Sequence, residues 1–172
     1  MKNIGFVSTR FAGTDGVTLE SSKWAEFFER NGFACFWFAG DLDRDEEKSY
    51  LVPEAHFQYE KNKWITSQVM GQKGRSPSVT QEIHAIRSLL KRRLHEFIEA
   101  FRIDLLIVEN VLSIPMHIPL GLAITETIAE TQIATIAHHH DFFWERVRLP
   151  CVPLAIICEW LSLPICHTSS MS

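Results

Sequence analysis

The sequence predicts an α/β domain of Rossmann-like type, a largely parallel sheet with helices on both faces, and three observations lead there. Apolar runs of strand length recur at residues 4–7, 33–39, 105–108 and 135–137. Segments with apolar residues at helical spacing alternate with them, and turn-forming residues mark most of the junctions. Parallel strands need crossover connections, which amphipathic helices supply, so an alternating chain of this kind reads as stacked β-α-β units.

The first unit opens with Ile4, Gly5, Phe6 and Val7, the uninterrupted run of a strand buried on both faces. Ser8 and Thr9 follow, then a loop in which Gly13 and Gly16 allow positive φ and close backbone approach. The helix behind the loop turns its unpaired first-turn N–H groups toward the strand's carboxyl end, a place suited to an anion or a sugar hydroxyl. Val17, Trp24, Phe27 and Phe28 form the inward stripe of that helix; Glu20, Lys23, Glu26 and Arg30 face out, and Asn31-Gly32 ends it. The glycines do not make a G-x-G-x-x-G dinucleotide fingerprint, and no Gly-Lys-Ser/Thr makes a P-loop.

Residues 40–77 are polar and turn-rich, too long for a plain connection, and are expected to form a functional or partly mobile loop that carries a short strand or helix. Their acidic cluster (Asp41, Asp43, Asp45, Glu46, Glu47) has no flanking histidine and reads as solvated surface. Ser78-Val79-Thr80-Gln81 is a capping-box pattern before a helix striped with Ile83, Ile86, Leu90, Leu94, Phe97, Ile98 and Phe101. The strand at 105–108 ends at Glu109-Asn110, which either face a ligand crevice or cap the next turn. Pro119 suits the first turn of a helix over 120–131 with Leu120, Ile124 and Ile128 inward. The last strand runs directly into His138, His139, His140 and Asp141.

Composition narrows the function. The chain has 172 residues, 46% hydrophobic and 22% charged, enough for one domain with a sizeable core. A net charge of -4 leaves no footprint for nucleic acid, and Lys91-Arg92-Arg93 reads as the solvated face of a helix. No apolar run is long enough for a transmembrane segment and no signal peptide is present, so a cytoplasmic protein is expected. Neighbours on a strand point to opposite faces, so at most two of the three histidines converge, and no further zinc ligands stand out; no metal is expected. A His-Asp pair past the end of a parallel strand lies at the crevice, where the imidazole can exchange hydrogen bonds with a sugar and the aspartate can fix its tautomer.

Three motifs together carry a resemblance: NIGFVSTRFAGTDGV from Asn3 to Val17, the strand ending in Val108-Glu109-Asn110, and TIAHHHDFFWER from Thr135 to Arg146. Over residues 1–146 the chain resembles the N-terminal half of a family 4 glycosyltransferase of the GT-B fold. The resemblance implies a retaining, metal-independent transfer from a nucleotide-sugar donor, without a cofactor, to a sugar or glycan acceptor held by this domain. Gly13, Thr14, Asp15 and Gly16, with Glu109 and Asn110, would face substrate and donor phosphates. His140 and Asp141 would match the family's His-Asp pair at the active-site edge, in a register open by one residue. Such enzymes bind the nucleotide in a second Rossmann-like domain, which this sequence is expected to end before reaching, so the fragment is expected to be inactive alone. Two other classes stay open: a nucleotide- or dinucleotide-binding module using Asp41 for the ribose hydroxyls, and a non-catalytic interaction domain.

Residues 147–172 fit neither the resemblance nor the preceding chain. They hold three of the four cysteines and three of the seven prolines, and from Leu149 onward Glu159 is the only Asp, Glu, Lys or Arg. Close cysteine pairs for zinc are missing, and prolines interrupt any membrane helix. Family members continue past the His-Asp motif with Asp-Tyr-Leu-x-Met-Ala-Phe-Pro-x-x-Leu-Pro-x-Ile-x-His-Val. Codons for residues 156–172, read one base earlier, permit such a stretch, so the tail is expected to be the product of a frame change between Arg146 and about Leu149.

Overall fold

The computed structural model describes residues 2–140. Asp141, the rest of the last motif and the tail at 147–172 lie outside the described residues. Five strands form one all-parallel sheet: β1 (Asn3–Val7), β2 (Ala34–Ala39), β3 (Ser49–Leu51), β4 (Leu105–Glu109) and β5 (Ala134–His138), in the order β3-β2-β1-β4-β5. Four helices cover it: α1 (Gly16–Arg30), α2 (Glu60–Val69), α3 (Pro77–Phe101) and α4 (Ile118–Thr131). The fold is the α/β Rossmann-like arrangement that the alternation predicts.

Strand alternation divides the core between the two faces. Ile4 and Phe6 of β1, Cys35 and Trp37 of β2 and Ile107 of β4 meet Ala25 of α1 on one side. Val7, Phe38, Leu106 and Val108 meet Ile65 of α2, the α3 stripe and Leu120, Ala123 and Ile124 of α4 on the other. Gly5 belongs to the second face because a Cβ there would stand 2.8 Å from the Phe97 ring.

The structure redraws several details. In α1 the buried residues are Thr18, Ser21 and Ala25, while Phe27 is 62% exposed and leaves the expected stripe. Small side chains let the helix lie close to the sheet; Val17, Trp24 and Phe28 flank them as partly buried neighbours. The cap of α3 is Ser76, whose Oγ accepts from the Val79 amide, two residues ahead of the expected box, with Pro77 in the first turn. Residues 40–77 do carry a short strand and a helix, as expected, namely the edge strand β3 and α2, together with two 3-10 turns. Their acidic residues do local work, Asp45 capping the first 3-10 turn and Asp43 accepting from the Gly13 amide at 2.7 Å.

Candidate functional site

From β1 the chain proceeds to β2 on one side, and from β4 to β5 on the other, so the carboxyl ends of β1 and β4 diverge around a crevice. A cleft of about 160 Å³ opens there. Ser8, Thr9 and Arg10 line it from the end of β1 and Glu109 and Asn110 from the end of β4; Asp15, Val17, Phe57, Val111, Met116 and His117 complete the wall.

The first loop places its residues unequally. Gly13 takes φ +82, which a side chain would strain, whereas Gly16 has ordinary φ and simply opens α1. Only one of the two glycines therefore uses the freedom expected of both. Thr14 and Gly16 are exposed, and of residues 13–16 only Asp15 lines the cleft. Asp15 is the N-cap of α1: Oδ1 accepts from the Thr18 amide at 3.1 Å, and Oδ2 accepts from the Thr18 hydroxyl and from Arg10 Nη2, both at 2.8 Å. Burial works against its ionisation, but the Thr18 amide and hydroxyl and the Arg10 guanidinium outweigh it and hold the carboxyl below its ordinary range. The guanidinium also lies over the Phe57 ring, 5.7 Å from its centroid.

Glu109 and the histidines converge. In the parallel register Glu109 pairs with His138 across β4 and β5. The Glu109 side chain is fully buried, and its Oε2 takes His138 Nδ1 at 2.9 Å and His140 Nε2 at 3.3 Å. Trp24 of α1 stacks on His138 with centroids 4.6 Å apart. Asn110 sits in the left-handed region at φ 61, and its Oδ1 accepts from the His140 amide at 2.7 Å, which clamps the chain as it leaves β5. Two of the three histidines thus meet, as strand geometry allows, and the carboxylate partner that the sequence did not reveal is Glu109. It was invisible there because 29 residues separate Glu109 from His138, and only the β4–β5 register joins them.

Other cleft residues escaped sequence reasoning. His117 is buried as the N-cap of α4: Nδ1 accepts from the Leu120 amide at 3.1 Å, and Nε2–H donates to the Glu54 carbonyl at 2.8 Å. Desolvation pulls its pKa down to about 4, so it is the neutral imidazole that caps. Buried Asn62 of α2 donates from Nδ2 to the carbonyls of Phe57 and Met116, each at 2.9 Å, tying two cleft segments together. Gly40 permits this packing, since a Cβ there would lie 2.0 Å from the His56 amide nitrogen. A glycine just past a strand was the available signal.

No protein-family model matches the chain. It is 27% identical over 151 residues to the mannosylglucosylglycerate synthase of Petrotoga mobilis, covering 83% of this chain. It is 25% identical over 147 residues to the synthase of the same name from Thermotoga maritima, covering 85%. The chain resembles part of a glycosyltransferase. It spans about a third of the length of the curated relatives it matches, 33% of each. Among the described residues no helix is long and apolar enough to cross a membrane.

Proposed function

We propose that this chain is the acceptor-side domain of a family 4, GT-B glycosyltransferase that transfers a sugar from a nucleotide-sugar with retention of configuration. The observation that supports it best is the position of Glu109 and Asn110 at the end of β4, lining the cleft, with His140 just past β5 held against both. Buried Glu109 fixes the His140 ring through Nε2, and Asn110 fixes its backbone, so the imidazole is pre-set to exchange a hydrogen bond with a sugar hydroxyl. Asp141 is the second member of the pair by resemblance.

The loop with Gly13, Thr14 and Gly16 is assigned to the donor, whose phosphates would meet the first amides of α1. Asp15 opposes an anion at that point, and its bond to Arg10 offsets the charge. The relatives' name describes a product containing glycerate, which carries a carboxylate. Arg10, with a side chain 36% exposed at the cleft, is the matching cation, so an anionic sugar acceptor such as glucosylglycerate is the first to test. In such enzymes a second domain supplies the other half of the substrate pocket, and residues 1–146 are assigned to its acceptor side.

Calorimetric titration with glucosylglycerate, nucleotide-sugars and NAD tests the reading. Acceptor binding that weakens about tenfold in Arg10→Ala and His140→Ala is expected. Tight NAD binding would turn the assignment to a dinucleotide module, and binding of no sugar or nucleotide would favour an interaction domain.

A further inference from the structure

The Glu109 carboxylate presents a problem of valence. It has no solvent exposure, and among the described residues its only side-chain partners are the two imidazoles, both on the same oxygen. The other oxygen, Oε1, is buried without a hydrogen-bond partner among the described residues. A carboxylate placed as a plain hydrogen-bond acceptor normally has both oxygens served, because a bare buried oxygen carries its full desolvation cost.

We propose that Glu109, His138 and His140 form a binding site for one first-row divalent cation, zinc fitting best. One oxygen of Glu109, Nδ1 of His138 and Nε2 of His140 all lie within 4.8 Å of one another. Oxygen-to-nitrogen separations of 2.9 and 3.3 Å are close to the roughly 3.3 Å between ligand atoms that bonds of about 2.0–2.1 Å make at tetrahedral angles. Two imidazoles and one carboxylate are a donor set that zinc accepts, with remaining positions open to water or to the second carboxylate oxygen. The surroundings hold the ligands in place: Trp24 stacks on His138, the Asn110 side chain holds the His140 amide, and the parallel ladder sets Glu109 beside His138. A cation on Nε2 of His140 leaves the ring proton on Nδ1, which fixes one tautomer. The site shares Glu109 and His140 with the proposed glycosyltransferase site, but its test reads metal binding by the three side chains directly, without substrate or turnover.

The full chain, stripped of metal with a chelator, is titrated with Co(II) while its visible ligand-field absorption is followed, and Zn(II) is then added as competitor. One cobalt per chain is expected, displaced by zinc, with affinity at least tenfold weaker in His138→Gln and in His140→Gln and unchanged in His84→Gln, an exposed histidine on α3. Because the variants could misfold, the imidazole proton and nitrogen resonances of the unaltered chain are recorded with and without Zn(II). Shifts confined to His138 and His140 support the site. Absence of a ligand-field band and of resonance shifts, or a band that survives both substitutions in folded protein, overturns it.

Discussion

His117 shows how a single buried side chain sets a pH dependence. The folded imidazole takes a proton only near pH 4, whereas an unfolded one does so near 6.5, so across that window the unfolded state binds more protons. The stability attached to neutral His117 is complete above about pH 6.5 and is lost as pH falls toward about 4, by on the order of 3 kcal/mol. Protonation would also turn Nδ1 from an acceptor into a donor aimed at the Leu120 amide. Thermal unfolding between pH 7 and 4 checks this. His117→Asn, which keeps a capping oxygen without an ionisable group, should flatten the slope relative to the parent. An unaltered slope in the variant would assign the acid sensitivity to other groups. The sequence did not announce His117, since a lone histidine before Ile118-Pro119 looks the same whether it caps a helix or faces water.

At the scale of elements, α1 lies close to the sheet because its inner face is small. Ala25 is 5% exposed and packs beside Cys35 and Trp37, so Ala25→Leu overfills that contact and should destabilise by about 1–3 kcal/mol. Phe27→Ala, on the open side, should change stability by less than about 0.5 kcal/mol. Denaturant midpoints of the two variants test the assignment, and the reverse order of costs would restore the aromatic stripe that the sequence suggested. The same comparison explains what was legible. Long segments with one strong period, such as α3 with Ile83, Ile86, Leu90, Leu94 and Phe97, are specified by their own pattern. Residues 49–51 and 60–69 were not, because β3 has only three residues and α2 is polar over most of its surface. The positions of Glu109-Asn110 and of the histidines at strand ends were readable, and their meeting was not, because it depends on which strands pair.

For the whole molecule, the remaining question is why residues 147–172 differ so sharply from residues 1–146. The tail concentrates cysteine and proline and nearly lacks charge, a composition unlike that of the domain before it. Selection for solubility keeps charged residues on a surface, and a segment translated out of frame has not been under that selection. The codon argument adds a second constraint: read one base earlier, each recovered codon takes its last two bases from a codon of this chain, leaving one base free. Trp160, with its single codon, gives Met in that frame only when the codon for Glu159 is GAA. We therefore predict that the gene's nucleotide sequence carries GAA at Glu159, and that restoring one base between Arg146 and about Leu149 opens a frame encoding a second Rossmann-like domain. GAG at Glu159, or an early stop codon in the shifted frame, would refute the frame change and make the tail a segment in its own right.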